Sequence, residues 1–287
     1  MKICNILNSG KVTVSCELFP PKQDGNIHQV QEVVHDIAAL SPDFMSVTYG
    51  AGGGTSQNTV KIAAEVQNCG ITALAHLTCV SSTKQQVADV LEQLKANRIE
   101  NILALRGDIP QSADFPSPAH YHYANELIQE IKAQGDFCIG AACYPEGHVE
   151  CEHKDDDISY LKQKVESGCD FLTTQMFFDN NLLYNFLYRI LAKGISVPVV
   201  AGVMPVTNSN QIKRICSLSG TALPTRFKTI VDKFSDKPQA MRQAGIAYAT
   251  DQIIDLISNG VNSIHLYTMN KPEIAAKIME NLSEIIH

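Results

Sequence analysis

The feature that most constrains this chain is an alternation that runs its whole length. Short apolar runs, rich in Val, Ile, Leu, Ala and Phe, take turns with longer amphipathic ones. The short runs fall at 12–19, 44–49, 72–80, 101–105, 137–144, 171–178, 197–204 and 263–268, and their length and composition predict strands. The longer runs at 27–40, 57–68, 84–96, 119–133, 158–167, 181–192 and 209–218 predict helices. In the first of these, Val30, Val33, Val34, Ile37 and Leu40 share one face, as they must in a helix lying on a sheet. Gly70 and Gly260 each follow a helical run, where a left-handed cap belongs. The span from 224 to 259 is too long for one standard helix and predicts a short helix followed by a long one. Strands that alternate with helices make parallel pairs, and eight of them within 287 residues predict a closed (β/α)8 barrel as a single domain, 1–287. An open doubly wound sheet is the competing arrangement. The strand runs do not alternate strictly between apolar and polar, which agrees with burial on both faces.

Composition narrows the class. With 45% hydrophobic and 18% charged residues the chain is that of a globular protein, and a net charge of −7 argues against a nucleic-acid partner. No apolar run is long enough to span a bilayer, so no membrane partner is expected. The start, MKICNILNSGK, has no long apolar segment of the secretory kind. Nine scattered cysteines in a long chain fit reduced thiols and a cytoplasmic location.

In a barrel of this type, chemistry gathers at the C-terminal ends of the strands. The first strand ends in SCELFPPK, where Thr13, Ser15 and Glu17 share one face and Val14, Cys16 and Leu18 the other. Pro20 and Pro21 cannot continue a ladder, so Glu17 sits near the strand's C-terminal end. The other strands end in Thr48-Tyr49, His76 and Thr78, Arg106-Gly107-Asp108, Tyr144-Pro145-Glu146, Gln175, and Thr268-Met269-Asn270-Lys271. Polar side chains thus converge on one mouth. Metal ligands are sparse there: Cys143, His148, Cys151 and His153 match no standard zinc spacing, and no metal site is expected. The glycine-rich run at 50–55 follows a strand and precedes a helix, a place for backbone amides to meet an anion. It fits neither G-x-G-x-x-G nor a P-loop. These residues alone give a barrel enzyme with a polar mouth and no particular reaction.

Eight segments, SCELFPPK, FMSVTYGAGGGT, AHLTCV, NILALRGDIP, AACYPEGH, FLTTQMFFD, PVVAGVMPVTN and HLYTMN, resemble the methylenetetrahydrofolate reductase family, in the family's order and at compatible spacings. The resemblance covers nearly the whole chain and is to the compact bacterial type, without a regulatory domain. It implies a (β/α)8 barrel that holds FAD and reduces 5,10-methylenetetrahydrofolate to 5-methyltetrahydrofolate. NADH or NADPH first passes a hydride to the flavin and leaves, and the folate then takes it, which supplies methyl groups for methionine synthesis. By resemblance Glu17 is the general acid that protonates the departing folate nitrogen, its pKa raised by burial. Asp108 matches the aspartate that contacts both flavin and pterin. Gln175 matches a glutamine that contacts the bound folate or nicotinamide, Gln211 and Lys271 match further substrate contacts, and at Lys271 the family pattern has arginine, whose bidentate fork lysine lacks. The FAD positions fall on Thr48, Tyr49, Ala51, His76, Arg106, Gly107, Asp108, Tyr123, Ala124, Tyr144, His148, Asp157 and Lys164. Arg106 and Lys164 are the natural partners for the diphosphate. Tyr160 also belongs to the adenosine end, and with Gln163 stands where some relatives carry Asn and Arg. Met176 stands where some relatives place an aromatic. The expected partners are the folate, the nicotinamide nucleotide and further copies of the chain in a homo-oligomer.

Three rival readings have distinct signatures. A flavin barrel acting on another pterin-like substrate would bind flavin without turning over folate. A flavin-binding subunit of a larger oxidoreductase would dispense with the acid at position 17. A zinc-binding barrel using the 143–153 region would carry metal instead of flavin colour.

Overall fold

Parallel strands can be joined only by crossovers, and here each crossover is helical, so the sheet curls until its first and last strands meet. The computed structural model describes residues 1–21, 26–49, 56–80, 82–109, 117 and 119–286. Its strands are β1 (Thr13–Leu18), β2 (Phe44–Val47), β3 (Thr72–Thr78), β4 (Asn101–Leu105), β5 (Cys138–Cys143), β6 (Phe171–Thr174), β7 (Val199–Val203) and β8 (Ser263–Leu266). Each pairs in parallel with the next, and β8 closes on β1, with Ser15 opposite His265 and Glu17 opposite Ser46. The closed (β/α)8 barrel expected from the alternation is the fold.

The crossover helices α2 (Ile27–Ala38), α3 (Ser56–Asn68), α4 (Lys84–Ala96), α5 (Ala124–Gln134), α6 (Lys154–Glu166) and α7 (Asn180–Ala192) pack outside the barrel. They are followed by α8 (Ser209–Ser219), α9 (Thr225–Lys233), α10 (Pro238–Ser258), α11 (Pro272–Asn281) and α12 (Ser283–Ile286). The long segment before β8 divides as expected, with α9 short and α10 of 21 residues. α4 starts with a reciprocal cap between Thr83 and Gln86, α7 with Asp179, and α8 with Asn208, each a side chain accepting from an otherwise orphaned amide. No described helix is long and apolar enough to cross a membrane.

Strand periodicity sorts the core into two parts. Val14, Cys16, Leu18, Met45, Val47, Ile102, Leu172 and Ile264 point outward and pack with the helices. Phe44, Leu74, Leu103, Cys138, Phe171 and Val200 point inward and form a separate apolar layer. That layer is sealed from below by an element absent from the sequence reading. A short helix, α1 (Ile3–Leu7), buries Ile3 and Leu7 against it, at roughly 1.5–3 kcal/mol per side chain. Asn101 ties it down, its Oδ1 accepting from the Ile3 amide at 2.8 Å while its Nδ2 donates to Met1 O at 3.0 Å.

Three predicted boundaries move by four residues or more, one of them the helix expected from 158, which begins at Lys154. The helix expected from 119 begins at Ala124, and ahead of it His120 forms an isolated bridge to Thr83. The strand expected to reach 178 stops at Thr174. There the Gln175 amide still donates to Cys143 O at 2.7 Å, after which the chain turns toward the Asp179 cap of α7.

Candidate active site

β1 places Glu17 in the barrel mouth, between β8 and β2, and buries it to 8% exposure. Its position is over-determined. Thr268 Oγ1 donates to the Glu17 carbonyl at 2.6 Å, and Phe19, two residues on, is held from both sides by Asn270. Asn270 Oδ1 accepts from Phe19 N–H and Asn270 Nδ2 donates to Phe19 O, each at 2.9 Å. These bonds replace the ladder that Pro20 and Pro21 end. To make them the chain adopts left-handed backbone at Met269 (φ 54°) and Asn270 (φ 55°), a conformation costly for methionine. Desolvation alone pushes the Glu17 carboxyl up to about 8. The buried, protonated carboxyl expected at this position is therefore what burial produces.

Beneath Glu17 lies a polar layer the sequence reading left unassigned. Ser15 Oγ is 2.7 Å from His265 Nδ1, and Ser46 Oγ is 3.1 Å from His265 Nε2, so two serines bracket one imidazole. Burial drives His265 down to about 3, which keeps it neutral. The period-2 pattern of β8 puts His265 and Tyr267 on the inward face, a signal that could have identified them.

Over the ends of β2 to β5 opens a cavity of about 860 Å3, large by the standard of small-molecule sites. Thr48 and Tyr49 enter it from the end of β2, His76 and Thr78 from β3, and Arg106, Gly107 and Asp108 from the end of β4. Tyr144 and His148 follow β5, Tyr123 and Ala124 open α5, and Asp157, Tyr160 and Lys164 project from α6. All the described cofactor positions inferred from the resemblance thus line one cavity. Ala51 and the rest of the 50–55 run lie outside the described residues.

The lining suits a phosphate-bearing aromatic cofactor such as FAD. His76 is buried, its Nε2 has no partner, and burial with the neighbouring His265 lowers its pKa to about 3. A neutral imidazole with an open nitrogen has a hydrogen bond to offer a ligand or water in the cavity. Gly107 has φ 85°, and a Cβ there would stand 3.0 Å from Thr78 Cβ, so only glycine brings backbone this close. Lys164 donates to Ala142 O at 3.1 Å, and burial lowers its pKa, a cost that an adjacent anion would offset. Tyr144 meets His148 edge-on at 4.7 Å. One lining residue, Glu150, was not foreseen: its carboxylate grips Arg106 at 2.6 and 2.8 Å.

The inferred folate positions separate. Gln211 and Lys271 line a second, smaller groove with Asn208, Thr268 and Met269, above β7 and β8. Lys271 Nζ donates there to Thr207 Oγ1 at 3.0 Å. Gln175 folds back, its Oε1 accepting from the Met176 amide at 2.9 Å. Met176 is buried at 2% exposure among Phe178, Val206, Ile212 and Phe227, so it packs the support of the groove. The candidate zinc residues do not assemble: Cys143 is buried on the outer face of β5, whereas His148, Cys151 and His153 line the cavity. Among the described residues the one group of three metal-type donors in mutual reach is His35, Glu65 and Cys69. There His35 Nε2 meets Glu65 at 3.1 Å and Nδ1 meets Cys69 at 3.3 Å, so hydrogen bonds account for the group.

The chain matches the family model described as methylenetetrahydrofolate reductase over residues 2–283. It is 32% identical to the 5,10-methylenetetrahydrofolate reductase of Escherichia coli over 95% of its own length and 91% of that protein. The maize methylenetetrahydrofolate reductase (NADH) 1 is 34% identical over 99% of this chain, which spans half of the plant protein's length. Among solved structures, one from Clostridium thermocellum described as binding two copies of 5-methyl-5,6,7,8-tetrahydrofolic acid superposes with a TM-score of 0.61. At 14% identity over 99% of both chains it shares the fold. The chain belongs to the methylenetetrahydrofolate reductase family.

Proposed function

We propose that this chain is an FAD-dependent reductase that converts 5,10-methylenetetrahydrofolate to 5-methyltetrahydrofolate, working in the cytoplasm to supply methyl groups for methionine synthesis. The observation that carries the reading is Glu17, a carboxyl whose burial keeps its proton near neutral pH, on the strand next to β2, whose end lines a cofactor-sized cavity. Bound in that cavity, FAD would supply the hydride relay between NADH or NADPH and the folate.

The protein's part is to bind, orient and move a proton. Arg106 and Lys164 would meet the diphosphate, His76 Nε2 a hydrogen-bonding edge of the flavin, and Asp157 the ribose hydroxyls. Asp108 supplies a carboxylate on the β4 side of the mouth, able to accept from the pterin's amino group. Gln211 and Lys271 would meet the rest of the folate in the groove they line, and Gln175 would have to release the Met176 amide to join them. A methylene bridging two nitrogens accepts hydride well only as a cationic iminium, and opening the bridge requires a proton on the departing nitrogen. Glu17 is stationed to give that proton, and its desolvated surroundings keep the proton on it until then.

The decisive test is the absorption spectrum of the purified protein, followed by anaerobic NADH and then 5,10-methylenetetrahydrofolate. Yellow colour, bleaching and return of colour with formation of 5-methyltetrahydrofolate are expected. A colourless protein that takes up no added FAD would overturn the reading, and bleaching without reoxidation by the folate would favour another pterin-like substrate.

A further inference from the structure

Arg106 enters the cavity from the end of β4 with five N–H groups to place. Nη1 donates to Glu150 Oε2 at 2.6 Å, Nη2 donates to Glu150 Oε1 at 2.8 Å, and Nε donates to Gly107 O at 3.3 Å. The guanidinium is therefore fixed in plane by a carboxylate fork at its end and by backbone at its root. Each Nη keeps one N–H uncommitted to these partners. Glu150 is anchored in turn: its amide donates to His148 Nδ1 at 3.2 Å, and His148 packs edge-on against Tyr144. The Arg106 side chain is 24% exposed and that of Glu150 56%, and a pair so open to water adds little to fold stability. What the pair does have is geometry, since a fork-to-fork contact fixes an otherwise flexible arginine.

We propose that Glu150 is a positioning residue for cofactor phosphate: it holds Arg106 in a single orientation, so that a phosphate group meets an arginine already ordered. The inference rests on the flavin reading of the cavity. The opposing effect is repulsion between the Glu150 carboxylate and the incoming phosphate. Because Glu150 stands more than half in water, that repulsion is screened, while the ordering of Arg106 is not.

The test titrates flavin-free protein with riboflavin, FMN and FAD, following quenching of flavin fluorescence. Riboflavin has no phosphate, so it reports the ring site alone. Glu150→Ala should weaken FMN and FAD by about tenfold, the worth of one charge-assisted hydrogen bond, and leave riboflavin unchanged. Glu150→Gln, which keeps the size and one acceptor, should fall between. In an Arg106→Lys background, which lacks the fork, Glu150→Ala should cost nothing further. Unchanged FAD affinity in Glu150→Ala would overturn the proposal, as would an equal loss for all three flavins, which marks a merely structural role. Tighter FAD binding would show that Glu150 competes with the phosphate. Failure of the wild-type chain to bind any of the three would overturn the flavin reading itself, and this inference with it.

Discussion

Replacing Glu17 by glutamine should separate the two halves of the proposed reaction and change stability with a definite sign. At pH 7 a carboxyl with a pKa near 8 carries its proton on about nine molecules in ten. Glutamine keeps the size and a hydrogen-bond donor but has no proton to give. Folate reduction should therefore fall at least about 10²-fold, the low end for general-acid catalysis, while flavin reduction by NADH stays largely intact. In the wild type, folate reduction should also decline as pH rises through about 8, where the acid form is lost.

The same shift makes Glu17 a liability to the fold at high pH. In the unfolded chain the carboxyl ionises near its ordinary 4.5, and in the folded chain near 8. Between those values the folded state holds the extra proton, so stability falls as pH rises across this window. At 1.36 kcal/mol per pKa unit, the span sets a ceiling of about 5 kcal/mol. Glu17→Gln has no charge to bury, so it should match the wild type near pH 4 and exceed it by a few kcal/mol at pH 8.5. Stopped-flow measurement of each half-reaction and urea denaturation at both pH values decide the matter. Equal losses in the two half-reactions would remove Glu17 from the acid role. A stability difference that does not change with pH would refute the burial argument behind it.

Asp108→Asn should bind FAD yet reduce folate poorly, because loss of the charge raises the flavin's midpoint potential and the amide presents donors to the pterin's own donors. An unchanged potential with normal folate affinity would make Asp108 a scaffold residue. Gly245→Ala should destabilise the fold by about 1–3 kcal/mol in urea denaturation, since its Cβ would fall 1.7 Å from Val206 O, where α10 lies against the chain beyond β7. Wild-type stability would mean that α10 can shift away at little cost. Cys143, Cys151 and Cys169 are free thiols, and in the native protein Cys151 should alkylate first, because the other two are buried. Zinc at about one per chain that a Cys151→Ser change removes would restore a metal role for the 143–153 segment.

How much of this was legible in the sequence depends on the range of the interaction involved. The barrel was, because each βα unit writes its own period: Ser15 and Glu17 inward, Val14, Cys16 and Leu18 outward. The cavity lining came from resemblance at the strand ends, and its residues do meet in one place. Helix α1 was hidden, because ICNIL is too short to show a helical period and is recognisable only by the layer it covers. The start of α5 was misplaced, because nothing local to 119–123 marks that His120 bridges to Thr83 in a distant part of the chain. Glu150 was missed for the same reason at longer range: it lies in a loop 44 residues from Arg106, and no local pattern marks that pair.

The interior of the barrel also explains why its chemistry sits where it does. At the bottom, Phe44, Leu74, Leu103, Phe171 and Val200 form an apolar cluster packed against α1, with Asn101 bonded to the α1 segment. One step up, Ser15, Ser46 and His265 satisfy one another inside the barrel. At the mouth, His76 has an unpartnered nitrogen and Glu17 a carboxyl shifted by desolvation, with no charged neighbour behind the shift. Going up the barrel, apolar burial gives way to polar groups, and such groups cost stability wherever nothing pairs them. The dry lower layers and the outer helical shell offset that cost. They also make the upper layer reactive, because a carboxyl holds its proton at neutral pH only where water is kept from it. The acid strength of Glu17 is thus a property of the packing beneath and around it, and a change that admits water there should lower its pKa without touching the residue itself.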